Sequence, residues 1–260
     1  MKQKIYKKNI KKIVFMVIMI LLSNAITYCI VSDRYRNDHV TDIHAMDSIK
    51  IEKNTVVKKT SFSIDSEKAE GIENIVIIAH PDDETFWGGD FITKEKCLIL
   101  CITNSNNMIR KKEFFDVMKE TGNYGIMLSY PDNPNHIISN WSDVKSSIYS
   151  DLEYLINYKL WKEIITHNPE GEYGHIHHKF TNMMVTNICV EAKKTDSLFY
   201  FGKYKKKENI SKDKVLLTKE EIKNKIELME MYTSQGKSYQ AFKHMAGYEK
   251  FIAYKDWYFG

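Results

Sequence analysis

A strand that runs straight into charge constrains this chain more than any other feature. Asn74–Ala79 (NIVIIA) is a short apolar run, and His80-Pro81-Asp82-Asp83-Glu84 follows it without a spacer. A continuous β-branched run reads as a strand buried on both faces, which demands a sheet covered on both sides. Charged groups at the end of a core strand are costly to desolvate unless something pairs with them. Pro81 stiffens the turn, so His80 and an aspartate can be held at a fixed separation. Histidine with carboxylate suits zinc, and a catalytic zinc keeps one position open for water. The competing reading is a solvated acidic turn or an aspartate helix cap.

Strand and helix periods alternate through the rest of the chain. Thr85–Ile92 reads as a short helix and Lys96–Thr103 as a second buried strand. Met108–Thr121 has helical period, with Phe114, Phe115 and Met118 on one side, and stops at Gly122. Gly125–Ser129 is a strand, Ser142–Tyr158 an amphipathic helix capped by Ser142, and Glu163–Thr166 a strand. His175–Lys193 is a helix, Ser197–Phe201 a strand and Lys219–Ser234 a helix. Such alternation predicts an α/β fold, a mostly parallel sheet flanked by helices in three layers. In these sheets sites lie beyond the carboxyl ends of the strands.

A second cluster falls on that same sheet edge. Strand Glu163–Thr166 ends in His167, and the segment Asn168-Pro169-Glu170-Gly171-Glu172-Tyr173-Gly174 leads to His175-Ile176-His177-His178. On a helix His175 and His178 share a face as i and i+3. His177 lies about 200° round from His175 and is expected to point elsewhere. His177 and His167 therefore read as ordinary or supporting histidines. A His–Asp–His metal set can be completed from the two clusters, although spacing alone does not say whether Asp82 or Asp83 is the ligand.

The N-terminus carries a membrane signal. Ile13–Ser32 runs for 20 residues without a charge, about the length of a membrane-spanning helix. Residues 1–12 hold six lysines (Lys2, Lys4, Lys7, Lys8, Lys11 and Lys12) and no acid. The positive-inside tendency keeps them cytoplasmic and sends the remainder outside. An uncleaved anchor at 13–32 is the expectation, with cleavage near Ala25 as the alternative. Residues 33–72 read as a polar stalk, with one short edge strand around Thr55–Ile64, and 73–260 as the catalytic domain. Removing the six lysines from the 38 basic residues leaves 32 against 34 acids. A near-neutral body gives no electrostatic footprint for nucleic acid. Cys97 and Cys101 sit on one predicted strand, about 13 Å apart, too far for a disulfide.

The motifs AHPDDE after the first strand and GEYGHxxH on a later loop and helix closely resemble the PIG-L/LmbE-like zinc-dependent deacetylases. The resemblance covers about residues 73–245 and includes Gly88-Gly89 and Tyr232-Thr233-Ser234-Gln235. It implies a Rossmann-like fold and hydrolysis of the acetamide on an N-acetylglucosamine-type sugar, with Zn2+ as cofactor. Carried over by position, it implies His80, Asp83 and His178 as metal ligands and Asp82 as general base. It places His175 against the tetrahedral intermediate and makes Tyr173 a mobile residue near the substrate carbonyl. Arg110, just after the second strand, is a candidate substrate contact, and Asp132 a candidate for sugar hydroxyls. Glu84 is expected to support the site rather than react.

The expectation is a membrane-tethered, extracytoplasmic N-deacetylase acting on an acetylated amino sugar in a surface glycan or glycolipid. The alternatives are a zinc amidase on another N-acyl or thiol-conjugate substrate, and a noncatalytic sugar-binding relative.

Overall fold

The computed structural model describes residues 60–134, 137–210 and 213–260. The expected basic segment 1–12, the anchor 13–32 and the stalk as far as residue 59 lie outside the described residues. Among the described residues no helix is long and apolar enough to cross a membrane.

Six strands form one sheet, with Asn74–Ile78 (β1), Cys97–Thr103 (β2), Tyr124–Tyr130 (β3), Glu163–Thr166 (β4), Leu198–Phe201 (β5) and Phe251–Ala253 (β6). Their spatial order is β3-β2-β1-β4-β5-β6, parallel except for the antiparallel β5–β6 pair. The helices are Ser66–Ala69 (α1), Asp83–Lys94 (α2), Met108–Thr121 (α3), Lys145–Asn157 (α4), Ile176–Glu191 (α5), Lys207–Ile210 (α6), Lys219–Glu230 (α7), Gly236–Phe242 (α8) and Tyr254–Tyr258 (α9).

β1 and β2 are buried along their whole length because both sheet faces are covered there. Ile75 and Ile77 of β1 join a core with Ile148, Leu152 and Leu155 of α4 and Val185 and Ile188 of α5. Val76 and Ile78 point the other way, into a core with Phe86 of α2, Phe114 and Val117 of α3 and Met229 of α7. The three-layer expectation therefore holds, and the mechanism is period-two alternation between two apolar layers.

Helix ends explain where the local readings held. Asn107 accepts hydrogen bonds from Ile109 and Arg110 N–H at 3.2 Å each, and α3 ends at Gly122 in the left-handed region (φ 69°). Thr218 and Glu221 form a reciprocal capping box at α7. Ser142 does not cap α4, which starts at Lys145 after Val144. Phe115 is an exposed residue of α3, while Val117 takes the buried place beside Phe114 and Met118.

Residues 60–72, expected as the end of the stalk, pack on the domain. Ser61 N–H donates to Asp151 Oδ1 at 2.8 Å, its hydroxyl donates to Asp151 Oδ2, and Tyr130 reaches the same carboxylate at 2.7 Å. Phe62 and Ile64 lie against the core and Ile72 is buried. No strand forms over 60–64; α1 follows, capped by Asp65.

The chain leaves β1 toward β2 on one side and later returns to β4 on the other. The topological switch point thus lies between the carboxyl ends of β1 and β4, where open α/β sheets bind ligands.

Candidate metal centre

The exit from β1 builds the first half of the site. Asp82 precedes α2 with φ 121°, a conformation that a non-glycine residue adopts only under constraint. The constraint comes from several directions. Arg110, in the first turn of α3, sits 3.3 Å from Asp82 Oδ2 and donates to the Pro81 carbonyl. Asp82 N–H donates to Glu84 Oε2 at 3.2 Å, and the Tyr232 hydroxyl donates to Glu84 Oε1. The His80 N–H donates to Asp83 Oδ2 at 2.8 Å, folding the aspartate back under the strand end.

The exit from β4 builds the second half around one carboxylate. Glu172 Oε2 lies 2.9 Å from His167 Nδ1 and 2.5 Å from His178 Nδ1, and Oε1 accepts from Asn168 N–H at 2.9 Å. A carboxylate accepts only, so both histidines bear protons on Nδ1. The turn is tight enough to need Gly171, at φ 68°, where a Cβ would stand 2.7 Å from the His175 carbonyl oxygen. His175 is the N-cap of α5, with φ −64° and ψ 130°, and its Nδ1 accepts from His177 N–H at 3.2 Å.

The two halves meet at His80, Asp83 and His178. His80 Nδ1 lies 3.2 Å from His178 Nε2 and 3.3 Å from Asp83 Oδ2, and His178 Nε2 lies 3.2 Å from Asp83 Oδ1. Metal–ligand bonds of about 2.0–2.1 Å in tetrahedral array separate ligands by about 3.3 Å, so these donors fit a metal ion. His178 keeps a bare Nε2 toward the gap because Nδ1 is committed to Glu172, and a carboxylate behind the ring is what fixes the orientation of a ligating histidine. In the adjoining His167–Glu172–His178 group, Glu172 accepts from both rings and His167 Nε2 accepts from Ala79 N–H, so His178 Nε2 is the imidazole lone pair left to a metal. His80, His175 and His177 form a further close cluster on the opposite side of the His80 ring.

The carboxylates are driven apart electrostatically. Burial pushes Asp82 up to about 7 against the opposing pull of Arg110. Asp83 is as buried, yet His178 and His167 hold it well below the usual carboxylate range. Burial raises Glu84 to about 8, with the Tyr232 hydrogen bond opposing. Burial, together with His80 and His178, lowers His175 to about 3, which leaves it a neutral imidazole with an Nε2–H donor. Divergent environments for adjacent carboxyls are the usual sign of divided acid–base roles.

All eight residues singled out from sequence lie in or beside this crevice, and one expectation is revised, that for His177. Arg110 clasps Asp82 and Pro81, with its other nitrogen 3.9 Å from Asp132. Asp132 is held by Asn104 at 3.0 Å and stands 3.4 Å from His80 Nε2. His177 does not turn away: its Nδ1 lies 3.0 Å from His80 Nε2. The wheel argument failed because His175 lies outside the helix, so its side chain does not set the helical phase. Tyr173 is 43% exposed at the rim, its ring centroid 5.4 Å from that of His178 and 4.7 Å from that of Phe242. Sequence reading missed Glu172 and Ser139. Glu172 was visible in the GEYGHxxH segment, whereas Ser139 arrives from a loop with no local mark.

Residues 75–189 match the family model PIG-L, described as GlcNAc-PI de-N-acetylase. An uncharacterized protein of Acanthamoeba polyphaga mimivirus is 30% identical over 133 residues, 45% of this chain. The match covers 57% of that relative's length, a little over half. A deacetylase from the teicoplanin biosynthesis pathway superposes with TM-score 0.50 at 12% identity, covering 62% of this chain and 84% of its own, and shares the fold. The pseudoaglycone deacetylase Dbv21 superposes with TM-score 0.48 at 15% identity, covering 63% and 82%. GalB, a 4-carboxy-2-hydroxymuconate hydratase from Pseudomonas putida, gives 0.47 at 9%, covering 67% and 84%. Residues 75–189, which hold the sheet edge and both motif loops, are the part of this chain that is similar to the PIG-L family.

Proposed function

We propose that this chain is a zinc-dependent N-deacetylase that removes the acetyl group from an N-acetylglucosamine-type sugar. One observation carries the reading: a His80–Asp83–His178 donor set of metal-binding dimensions with Asp82, raised to about 7, beside it. Bound zinc would polarise the acetyl oxygen and acidify water toward a pKa of about 7.

The protein's own groups supply the rest. Asp82 takes a proton from the attacking water and returns one to the departing amine, which leaves poorly while unprotonated. Arg110 holds the Asp82 carboxylate in place while leaving it basic. His175, neutral with a proton on Nε2, donates to the oxygen that gains charge in the transition state. Tyr173, at the rim, is the second donor to that oxygen. Water adds across the amide carbon and the C–N bond breaks, yielding acetate and a free amine.

Zinc is favoured over harder cations because two imidazoles and one carboxylate form a nitrogen-rich set. Asp132 and Arg110 are the proposed contacts to sugar hydroxyls, with Asp132 exposed enough to reach them. The apolar span 13–32 would anchor the domain outside the cytoplasm and present it to surface glycans or glycolipids. The test is acetate release from acetylated glycans by the full-length protein, with zinc content measured in parallel. Stoichiometric zinc with no release from any acetylated amino sugar would sink the substrate assignment. A reporter fused after Gly260 should read extracytoplasmic, and a cytoplasmic signal would overturn the orientation.

A further inference from the structure

We infer that His177 is a positioning residue for His80: it accepts the His80 Nε2 proton and thereby leaves the Nδ1 lone pair facing the metal. The inference rests on the metal-centre reading above and adds a residue that spacing had placed outside the site.

The chain of hydrogen bonds fixes the protons one after another. His177 Nε2 lies 2.6 Å from the Ser139 carbonyl oxygen. A carbonyl oxygen only accepts, so that nitrogen carries the proton. The His177 ring is fully buried and stacked on Trp141, with centroids 4.2 Å apart and planes 6° from parallel. A second ring proton would put a charge in that sandwich, at high desolvation cost. His177 Nδ1 therefore presents a lone pair.

His80 Nε2 faces it at 3.0 Å. Two lone pairs do not face each other at that distance, so His80 Nε2 bears the hydrogen. Asp132 Oδ1, 3.4 Å from His80 Nε2 and 3.6 Å from His177 Nδ1, is a second and more distant acceptor for it. With its Nε2 proton committed to His177, His80 can bind a metal only through Nδ1, and Nδ1 is the atom 3.2 Å from His178 Nε2 and 3.3 Å from Asp83 Oδ2. His178 is set by the same logic in mirror image, with Glu172 taking its Nδ1 proton. One ligand is oriented by a carboxylate and the other by a neutral histidine.

The loop after β3 is built to hold His177 there. Trp141 sits at φ 55°, in the left-handed region, and its indole N–H donates to the Pro131 carbonyl at 2.6 Å. Ser139 N–H donates to the Asp132 carbonyl at 2.8 Å, which ties the residue bearing the accepting carbonyl to the loop start. Strain of this kind persists only where surrounding contacts over-determine it.

The test uses the full-length protein, wild type and two variants. His177→Phe keeps the Trp141 stack and removes the acceptor, whereas His177→Asn restores an acceptor oxygen near the Nδ1 position without the stack. In metal-free wild type, imidazole nitrogen NMR should find a proton on His80 Nε2, whatever proton the Nδ1–His178 contact shares; a bare Nε2 overturns the proposal whatever the variants do. Zinc affinity by chelator competition should fall about 10–100-fold in His177→Phe, the usual cost of losing a group that orients a ligand. His177→Asn should recover most of that loss, and the visible spectrum of the cobalt-substituted protein should follow the same order. Unchanged affinity in both variants overturns the proposal. So does an equal loss in both that tracks lowered thermal stability, since that marks a merely structural role. Two zinc ions per wild-type chain, falling to one in His177→Phe, would make His177 a ligand instead. Absence of zinc binding in wild type would defeat the functional reading, and the His80 tautomer would still decide this one.

Discussion

The loop leaving β1 and the loop leaving β4 meet at the same donor gap, but they are held in different ways. His80–Glu84 is restrained from outside, by Arg110 of α3 on Asp82 and Pro81 and by Tyr232, beyond α7, on Glu84. Residues 167–178 have an internal anchor, since Glu172 gathers His167, Asn168 and His178 within six residues of itself. Outside ties from Ala79 N–H to His167 Nε2 and from Asn168 to the Phe201 and Gly202 carbonyls add to it. The first loop carries strain at Asp82 and two carboxyls raised by burial. The second carries a carboxylate lowered to about 2, because His167 and His178 outweigh its burial. The reactive group sits in the loop held by groups from other elements, with two of the ligands beside it, and the third ligand sits in the loop that has its own internal carboxylate anchor.

The largest effect should come from removing a ligand in either loop. His80→Ala and His178→Ala should each lose stoichiometric zinc and reduce acetate release to background, because a three-donor set cannot spare a member. Retention of full zinc in both variants would break the assignment of the gap itself.

Next comes the separation of chemistry from metal within the first loop. Asp82→Asn should keep zinc while acetate release falls about 10²–10⁴-fold, the usual contribution of a positioned acid–base group. Asp83→Asn should instead weaken zinc binding, because a neutral amide replaces an anionic ligand. The reverse pattern would mean that the two aspartates have been exchanged.

Glu172→Ala sharpens the contrast between loops by asking about stability instead of rate. Removing one partner from a buried charged network costs about 3–5 kcal/mol, and here three donors would be stranded. Arg110→Met, by contrast, should leave the unfolding midpoint much less changed and act mainly on kcat, through a displaced Asp82. Comparable losses of stability in the two variants would show that the first loop is structural as well.

That division also explains what could be read from sequence. Asn74–Ala79 and Glu163–Thr166 were legible because a parallel strand buried on both faces leaves an unbroken apolar run. The motif residues were legible because each loop follows its strand directly. His177 was misplaced because its partners, Ser139 and Trp141, arrive from the far side of β3, and because a cap residue does not obey the helical wheel. The β6 strand, three half-buried residues paired antiparallel to β5, carries no periodic signal long enough to see. Contacts within a loop leave a trace in the sequence; contacts between distant loops do not.

The smallest and most specific expectation concerns Glu84, the fully buried end of the outside-held loop. Its carboxyl is raised to about 8 from an ordinary value of 4.5, chiefly by burial. The folded protein therefore holds this proton more tightly than the unfolded chain, so folding stability falls as pH rises between those values. Below about pH 4.5 both states are protonated and the group contributes no slope; above about pH 8 the full penalty of a buried charge is present. Glutamine keeps the shape of the neutral acid and one acceptor for the Tyr232 hydroxyl, but its amide nitrogen cannot accept from Asp82 N–H, which adds a pH-independent offset. The stability difference between Glu84→Gln and wild type should thus shift progressively in the variant's favour from pH 5 to pH 8.5. Unfolding midpoints measured across that range give the difference directly, and because Asp82 titrates in both proteins its contribution largely cancels. A difference that stays flat with pH would place the Glu84 proton elsewhere and leave Tyr232 holding an ordinary carboxylate.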